Sequence, residues 1–168
     1  MQIWLFRNHF FGEDKAPKGS LEVAKRQACY DGAFGARAMH HLQTYGAEET
    51  YDRNANTFTF TYSDSALNIY AHHLSQLDGP NTPPHYHMTR PGSWALESSR
   101  QVLDDGATAF RNLRDLASDL REQFLADADR RMQNIPQERR ERLIEEAWQR
   151  VQELLVCLRN GADKLVTK

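Results

Sequence analysis

The sequence predicts an α+β domain: a mixed sheet of about four strands, a long helix after the first strand, and a C-terminal two-helix extension. Three observations carry this. The strand-like runs all lie before Pro91-Gly92; one long stretch of helical periodicity separates the first of them from the rest; and everything after Gly106 repeats apolar residues at helical spacing. With 168 residues, the chain suits one core domain over 1–130 and a helical extension over 131–168.

The first run, Gln2 to Phe11, is rich in aromatic and branched side chains and reads as one strand continuing to about Lys15. Ala16-Pro17-Lys18-Gly19 stops it. Ser20 is a suitable N-cap for a helix from about Leu21 to Tyr45, in which Leu21, Ala24, Ala28, Phe34, Ala38 and Leu42 recur at helical spacing. Gly32 and Gly35 weaken that helix and mark a kink or a close packing contact. The polar stretch from Gly46 to Asn56 is a loop. Thr57-Phe-Thr-Phe-Thr-Tyr and Ala66 to His72 alternate around the turn Ser63-Asp64-Ser65, which makes a hairpin. Leu77 to Pro84 is a second loop, and His85-Tyr-His-Met-Thr a short strand ended by Pro91-Gly92. Asp104-Asp105-Gly106 then precedes a helix with Phe110, Leu113, Ala117, Leu120 and Phe124 on one face. Asn134 caps a last helix whose stripe is Leu143, Ala147, Val151, Leu154 and Leu158, ended by Asn160-Gly161.

Apolar residues make up 40% and charged residues 26% of the chain, as in ordinary globular domains, and the net charge is −2. Overall charge therefore predicts no attraction to nucleic acid, and such binding needs a local patch. Cys29 and Cys157 stand in no metal-ligand spacing and fit a reducing compartment. No stretch reaches the length of a membrane span, and the start, Met1-Gln-Ile-Trp-Leu-Phe-Arg, has the pattern of a strand rather than a secretion signal. The expectation is an intracellular chain, cytoplasmic or nuclear, without membrane association.

The sharpest local feature is Gly12-Glu13-Asp14-Lys15-Ala16-Pro17. On a strand, residues two apart share a face, so Glu13 and Lys15 stand side by side. A carboxylate beside an ammonium is the centre of a metal-dependent phosphodiesterase site: the carboxylate holds Mg²⁺ (or Mn²⁺), and the lysine steadies water or the charge growing on phosphate. Taken alone, Glu-x-Lys reads first as an edge-strand ion pair of small energetic value. Here the strand delivers the motif into a short loop and then a helix carrying Gln27, with Tyr30 one turn on.

This order resembles the PD-(D/E)XK nuclease superfamily, including members with a glutamine motif. The runs Gly12-Glu-Asp-Lys-Ala-Pro, Arg26-Gln-Ala-Cys-Tyr-Asp-Gly-Ala-Phe-Gly-Ala-Arg37 and Gly106-Ala-Thr-Ala-Phe-Arg-Asn-Leu-Arg-Asp-Leu-Ala117 look like a group of fungal proteins with a PD-(D/E)XK-like domain, over roughly residues 1 to 130. The resemblance implies a restriction-endonuclease-like core and, ancestrally, Mg²⁺-dependent hydrolysis of DNA or RNA. It makes Glu13 the metal-binding acid, Lys15 the catalytic lysine, and Gln27 the helix glutamine that supports the site or touches substrate. The superfamily also needs an Asp, normally on the preceding strand. None of the twelve residues before Glu13 is acidic, and His9, of the same strand parity, is a poor ligand for Mg²⁺. The core is then N-terminally incomplete, with the acid encoded upstream, or the chain is a degenerate relative that keeps the fold for binding. Both predict weak or absent cleavage.

Other constellations are weaker. His72-His73 and His85-x-His87 on neighbouring strands have the residue types of a zinc site, against solvated rings at a sheet edge. His40-His41 lies on a helix, where adjacent residues share no face. Arg130-Arg131 and Arg139-Arg140-x-Arg142 interleave with Asp127, Asp129, Glu138 and Glu141, as on a solvated helix. Arg111, Arg114 and Arg121 stand among Asp115 and Asp119 and suit ion pairing within their helix. Trp148 lies beside the last helix's stripe and is a core or interface residue. The alternative function is a non-catalytic module that binds a protein partner, or dimerises, through the C-terminal helical hairpin.

Overall fold

A computed structural model describes residues 2–6, 10–14, 21–76, 79, 82–142, 144–146, 148–149 and 152. Their elements are β1 (Gln2–Phe6), β2 (Phe10–Asp14), α1 (Leu21–Thr44), β3 (Thr57–Ser63), β4 (Ala66–Ser75), β5 (His85–Ala95) and α2 (Arg100–Gln133). The class is α+β, with a mixed sheet and the long helix α1 behind the N-terminal strand run. The sheet has five strands in sequence order. The extra strand arises because the first run is two strands, not one: β1 and β2 pair antiparallel, Phe6 opposite Phe10 and Gln2 opposite Asp14. The polar triplet Arg7-Asn8-His9 between them was the available signal, hidden within a strongly apolar run.

β2 and β3 are parallel, Phe10 beside Phe58 and Glu13 beside Thr61. Parallel neighbours need a crossover long enough to return the chain to the same end, and α1 supplies it. Gly46, at φ 73°, occupies the left-handed position just past the helix end, where glycine carries no Cβ penalty. β3 and β4 form the expected hairpin, and both turn residues, Asp64 (φ 50°) and Ser65 (φ 58°), are left-handed as a tight two-residue turn requires.

Two expected boundaries move. β5 runs through Pro91 and Gly92 to Ala95 instead of ending before them. It is an edge strand, and its pairing with β4 slips between Ile69 and Ala71, so Arg90 and Pro91 sit in a bulge where proline's missing N–H breaks no ladder. α2 begins at Arg100, not after Gly106. Ser99 caps it, its Oγ accepting from the Val102 N–H at 3.2 Å. Gly106 is inside the helix because a Cβ there would stand 2.7 Å from Leu96 and 3.2 Å from Trp94.

The chain divides into two units, Met1–Asp129 and Arg130–Lys168. In the first, each face of the sheet is covered by a helix. On one face, Phe10, Phe58, Phe60, Leu67, Ile69 and Ala117 form the apolar core, with Phe110 and Leu113 of α2 packed against it. The Phe110 ring meets Phe10 at 5.1 Å and Phe60 at 5.0 Å edge-on. Gly12 lies under the Phe60 ring, with no room for a side chain of its own. On the other face lies α1. In the second unit the chain turns at residues 134–136 and is helical again from residue 137. Arg140 Nη2 donates to the carbonyls of Gln133 (3.4 Å) and Ile135 (3.3 Å), satisfying exposed helix-end acceptors. The predicted stripe Leu143, Ala147, Val151, Leu154 and Leu158 lies outside the described residues. No helix of the described residues is long and apolar enough to cross a membrane.

Candidate functional site

The face of the sheet under α1 is polar. Thr57, Thr59 and Thr61 of β3 are fully buried, and Asn68 and His72 of β4 nearly so. α1 buries small residues at most positions, Ala24, Ala28, Gly32, Gly35 and Ala36, with the larger Met39 and His40 towards its end. The two glycines are there for clearance, which settles the kink-or-contact alternative in favour of contact. A Cβ on Gly32 would stand 2.0 Å from the His72 ring, and one on Gly35 2.6 Å from the Thr57 methyl and 2.8 Å from Phe11.

The pairing registers align a row across this sheet. Glu13 stands beside Thr61, Thr61 opposite Asn68, and Asn68 opposite Ser93. The Asn68 amide donates to Thr61 Oγ1 at 3.4 Å, and Ser93 Oγ donates to Asn68 Oδ1 at 2.8 Å. On the far side of Glu13 the register partner is Ile3. α1 runs antiparallel to β3. A helix advances about 1.5 Å per residue and a strand about 3.3 Å, so seven residues before Gly35, which sits over Thr57, α1 lies over residues about three further along β3. The first turns of α1 therefore belong to the end of the sheet that carries the Glu13 row.

Of the three sequence-predicted site residues, Glu13 is placed by its backbone register in this row, and Gln27 lies half-buried on the first half of α1. Lys15 lies outside the described residues, as does His9. The row's hydroxyl and amide oxygens are hard donors of the kind a magnesium ion takes, but Glu13 brings its one carboxylate, and Ile3 opposite it brings none.

His72 lies deeper under α1. Its Nε2 is hydrogen-bonded to Thr59 Oγ1 at 2.8 Å. Burial, helped by the neighbouring His73, depresses its pKa to about 4, so the ring is neutral at physiological pH. Being adjacent on a strand, His73 projects to the opposite face. There its ring stacks on His87 at 4.5 Å, and His87 Nε2 meets Ser75 Oγ at 2.7 Å. The four-histidine zinc reading fails for this reason: the sheet separates His72 from the pair, and no group of three metal-ligating side chains forms among the described residues.

A third polar cluster joins the end of α1 to the loop before β3. Glu49 Oε1 accepts from Tyr51 OH at 2.9 Å and from His40 at 3.2 Å, and the Tyr51 ring stacks on His40 at 4.4 Å. The Tyr51 hydrogen bond first, then His40, hold the Glu49 carboxylate below its ordinary pKa against partial burial. Gln43 donates to Asp52 at 2.7 Å. These bonds fasten the loop to the helix. His40, dismissed from the sequence because His41 faces elsewhere, is thus a buried anchor. Its signal was the paired spacing of His40 and Gln43 with Glu49 and Asp52. Of the three helix cations expected to pair, Arg114 meets its neighbour Asp115 at 2.8 Å, whereas Arg111 donates to Thr108 Oγ1 at 3.4 Å; Arg100, outside that set, approaches Asp104 at 3.5 Å.

No curated protein and no solved structure matches the chain. A family model matches residues 9–128, from β2 through nearly all of α2 in the first unit. That stretch holds the parallel β2–α1–β3 unit, the polar row and both helix-covered faces, and on it the chain belongs to the family described as Domain of unknown function (DUF7924).

Proposed function

We propose that this is a PD-(D/E)XK nuclease-like domain, related to Mg²⁺- or Mn²⁺-dependent hydrolases of nucleic-acid phosphodiesters, with weak or no cleavage by this chain. The carrying observation is the register row: at the end of the sheet where α1 begins, Glu13 stands beside Thr61, whose buried hydroxyl accepts from the buried Asn68 amide, and Asn68 in turn accepts from the exposed Ser93. The β2–α1–β3 connection supports it, since Glu13 near the end of β2 leads through a short link into the helix bearing Gln27. In this reading Glu13 holds the metal, Lys15 steadies the attacking water, and Gln27 supports the site. When bound, the ion supplies a Lewis acid that polarises the phosphate. The row's weakness follows from its chemistry. Ile3 occupies the register position opposite Glu13, so a divalent cation has one carboxylate rather than two.

The test pairs binding with cleavage. Mn²⁺ titrated into the chain is expected to bind weakly, and Glu13→Ala to abolish that binding. Plasmid and single-strand cleavage should be slow or absent, and any cleavage should vanish in both Glu13→Ala and Lys15→Ala. Mn²⁺ binding unchanged in Glu13→Ala would sink the reading. The field would then pass to a non-catalytic interaction module, for which Trp148, 59% exposed in the second unit, is the starting point.

A further inference from the structure

The outward face of α1 carries an unusual sequence of side chains. With about 100° between successive residues, Val23, Arg26, Tyr30, Phe34, Arg37 and His41 fall on one stripe. All six are exposed, Tyr30 to 65% and Phe34 to 78%. Tyr30 and Phe34 are one turn apart, on the same exposed face. Arg26 lies one turn before it and Arg37 just under one turn after. Of the carboxylates of α1, Asp31 falls about 100° from the centre of the stripe, whereas Glu22 stands one turn before Arg26, at the stripe's N-terminal edge. Neither Arg26 nor Arg37 forms an ion pair with a described residue.

The surface continues onto β5. Arg37 and Tyr86 are both within electrostatic reach of the Tyr51 hydroxyl, and Tyr86 is 44% exposed. Between α1 and β5, beside the stripe, lies a shallow cleft lined by Cys29, Ala33, Tyr86 and Met88.

We infer that this face of α1, with the adjoining β5 edge at Tyr86, is a platform for single-stranded nucleic acid, with bases stacked on Tyr30 and Phe34 and phosphates held by Arg26 and Arg37. Two rings exposed to this degree gain nothing from the fold and expose apolar area to water, which is the mark of a surface that meets a partner. The cations flanking them choose the partner. A second copy of the stripe would set arginine against arginine, so self-association is disfavoured, whereas a polyanion is matched at both ends. Arg26 and Arg37 are about 16 Å apart along the axis, a span that takes several phosphates of one strand. Two rings between two cations is the arrangement that binds single strands with little sequence preference, since every base has a face to stack. The chain's net charge of −2 is no obstacle, because the field that matters is local.

The inference extends the nuclease-like reading to a strand form, and its test is independent of cleavage. A labelled oligothymidylate is titrated with the full chain carrying Glu13→Ala, in EDTA and at low salt, and followed by fluorescence anisotropy. Saturable binding is expected, weakened about tenfold by Tyr30→Ala and by Phe34→Ala. Arg26→Ala and Arg37→Ala should each lower the salt dependence of log Kd by about one unit or slightly less. Both aromatic positions are exposed, so thermal melts of these variants should match the parent and exclude misfolding. Binding of the oligonucleotide that is equal in all four variants overturns the inference. So does no binding at low salt, including the case where an acidic polyglutamate peptide binds in its place. Loss of Mn²⁺ binding with retained oligonucleotide binding, or the reverse, tells failure of one reading from failure of the other.

Discussion

Each face of the sheet is covered by a helix, but the two faces are built from different materials. Under α2 the contacts are rings and branched chains: Phe10, Phe58, Phe60, Leu67 and Ile69 against Phe110 and Leu113. Under α1, hydroxyls, an amide and an imidazole share the face with Phe11, Tyr70 and Leu74, and meet mainly alanines and glycines with Met39. The first face draws its stability from apolar area and interdigitation, which tolerate no loss of volume. The second holds together by close approach and hydrogen bonds, and each buried polar group left without a partner lowers its worth.

The comparison can be broken most severely on the apolar side. Phe60→Ala removes a ring that packs on Phe10, Phe110 and Gly12 at once, and is expected to cost about 3–5 kcal/mol, read from urea unfolding. A cost under about 1 kcal/mol would mean that the α2 face is not the main core.

The α1 face should instead respond to acid. His72 titrates near 6.5 when unfolded and near 4 when folded. Above pH 6.5 neither state holds the proton, and stability is full. As pH falls from 6.5 towards 4, the unfolded chain takes up a proton that the folded chain refuses, so stability drops, by up to about 3 kcal/mol, and then levels off. Urea midpoints across that window should show the drop, and His72→Gln should flatten it. An unchanged slope in His72→Gln would assign it to other groups.

The finest distinction lies in Thr57. Its hydroxyl is buried and accepts or donates nothing among the described residues, unlike that of Thr59, which meets His72. Thr57→Val is therefore expected to be neutral or to stabilise by about 1 kcal/mol, seen as a small rise in Tm. A clear loss of stability would show that a water or ligand uses that hydroxyl.

Much of the fold is legible in the sequence because its signals are local. The Thr57-Phe-Thr-Phe-Thr-Tyr alternation, the helical spacing from Leu21 and the turn at Asp64-Ser65 each act within a few residues, and all three elements appear where expected. The errors share a physical cause: tertiary contact overrode a local breaker. Gly106 does not start α2 because Trp94 and Leu96 need its bare backbone, and Pro91 does not end β5 because an edge bulge accommodates it. The first run hid a reversal because its aromatic content swamps three polar residues.

The site was less legible. Glu13 and Gln27 could be singled out by type and order, but the row beside Glu13 could not. In an alternating strand the polar members are normally assigned to water. Here Thr61 and Asn68 lie inside, which only the register and a helix over that face reveal. The aromatic-cationic stripe of α1 is hidden for the converse reason: Phe34 falls within the apolar recurrence that marks the helix, yet Ala28, Gly32 and Gly35 are the residues that face the sheet.

The bulge at Arg90 and Pro91 also governs assembly. An open sheet can recruit strands from other molecules wherever an edge offers an uninterrupted ladder of free amides and carbonyls. On β5 the proline removes one donor and the slipped register skews its neighbours, so the free edge is cut into two short stretches, 85–89 and 92–95. A strand added there from another molecule would lose its ladder midway, so the bulge weakens templating on this side of the molecule.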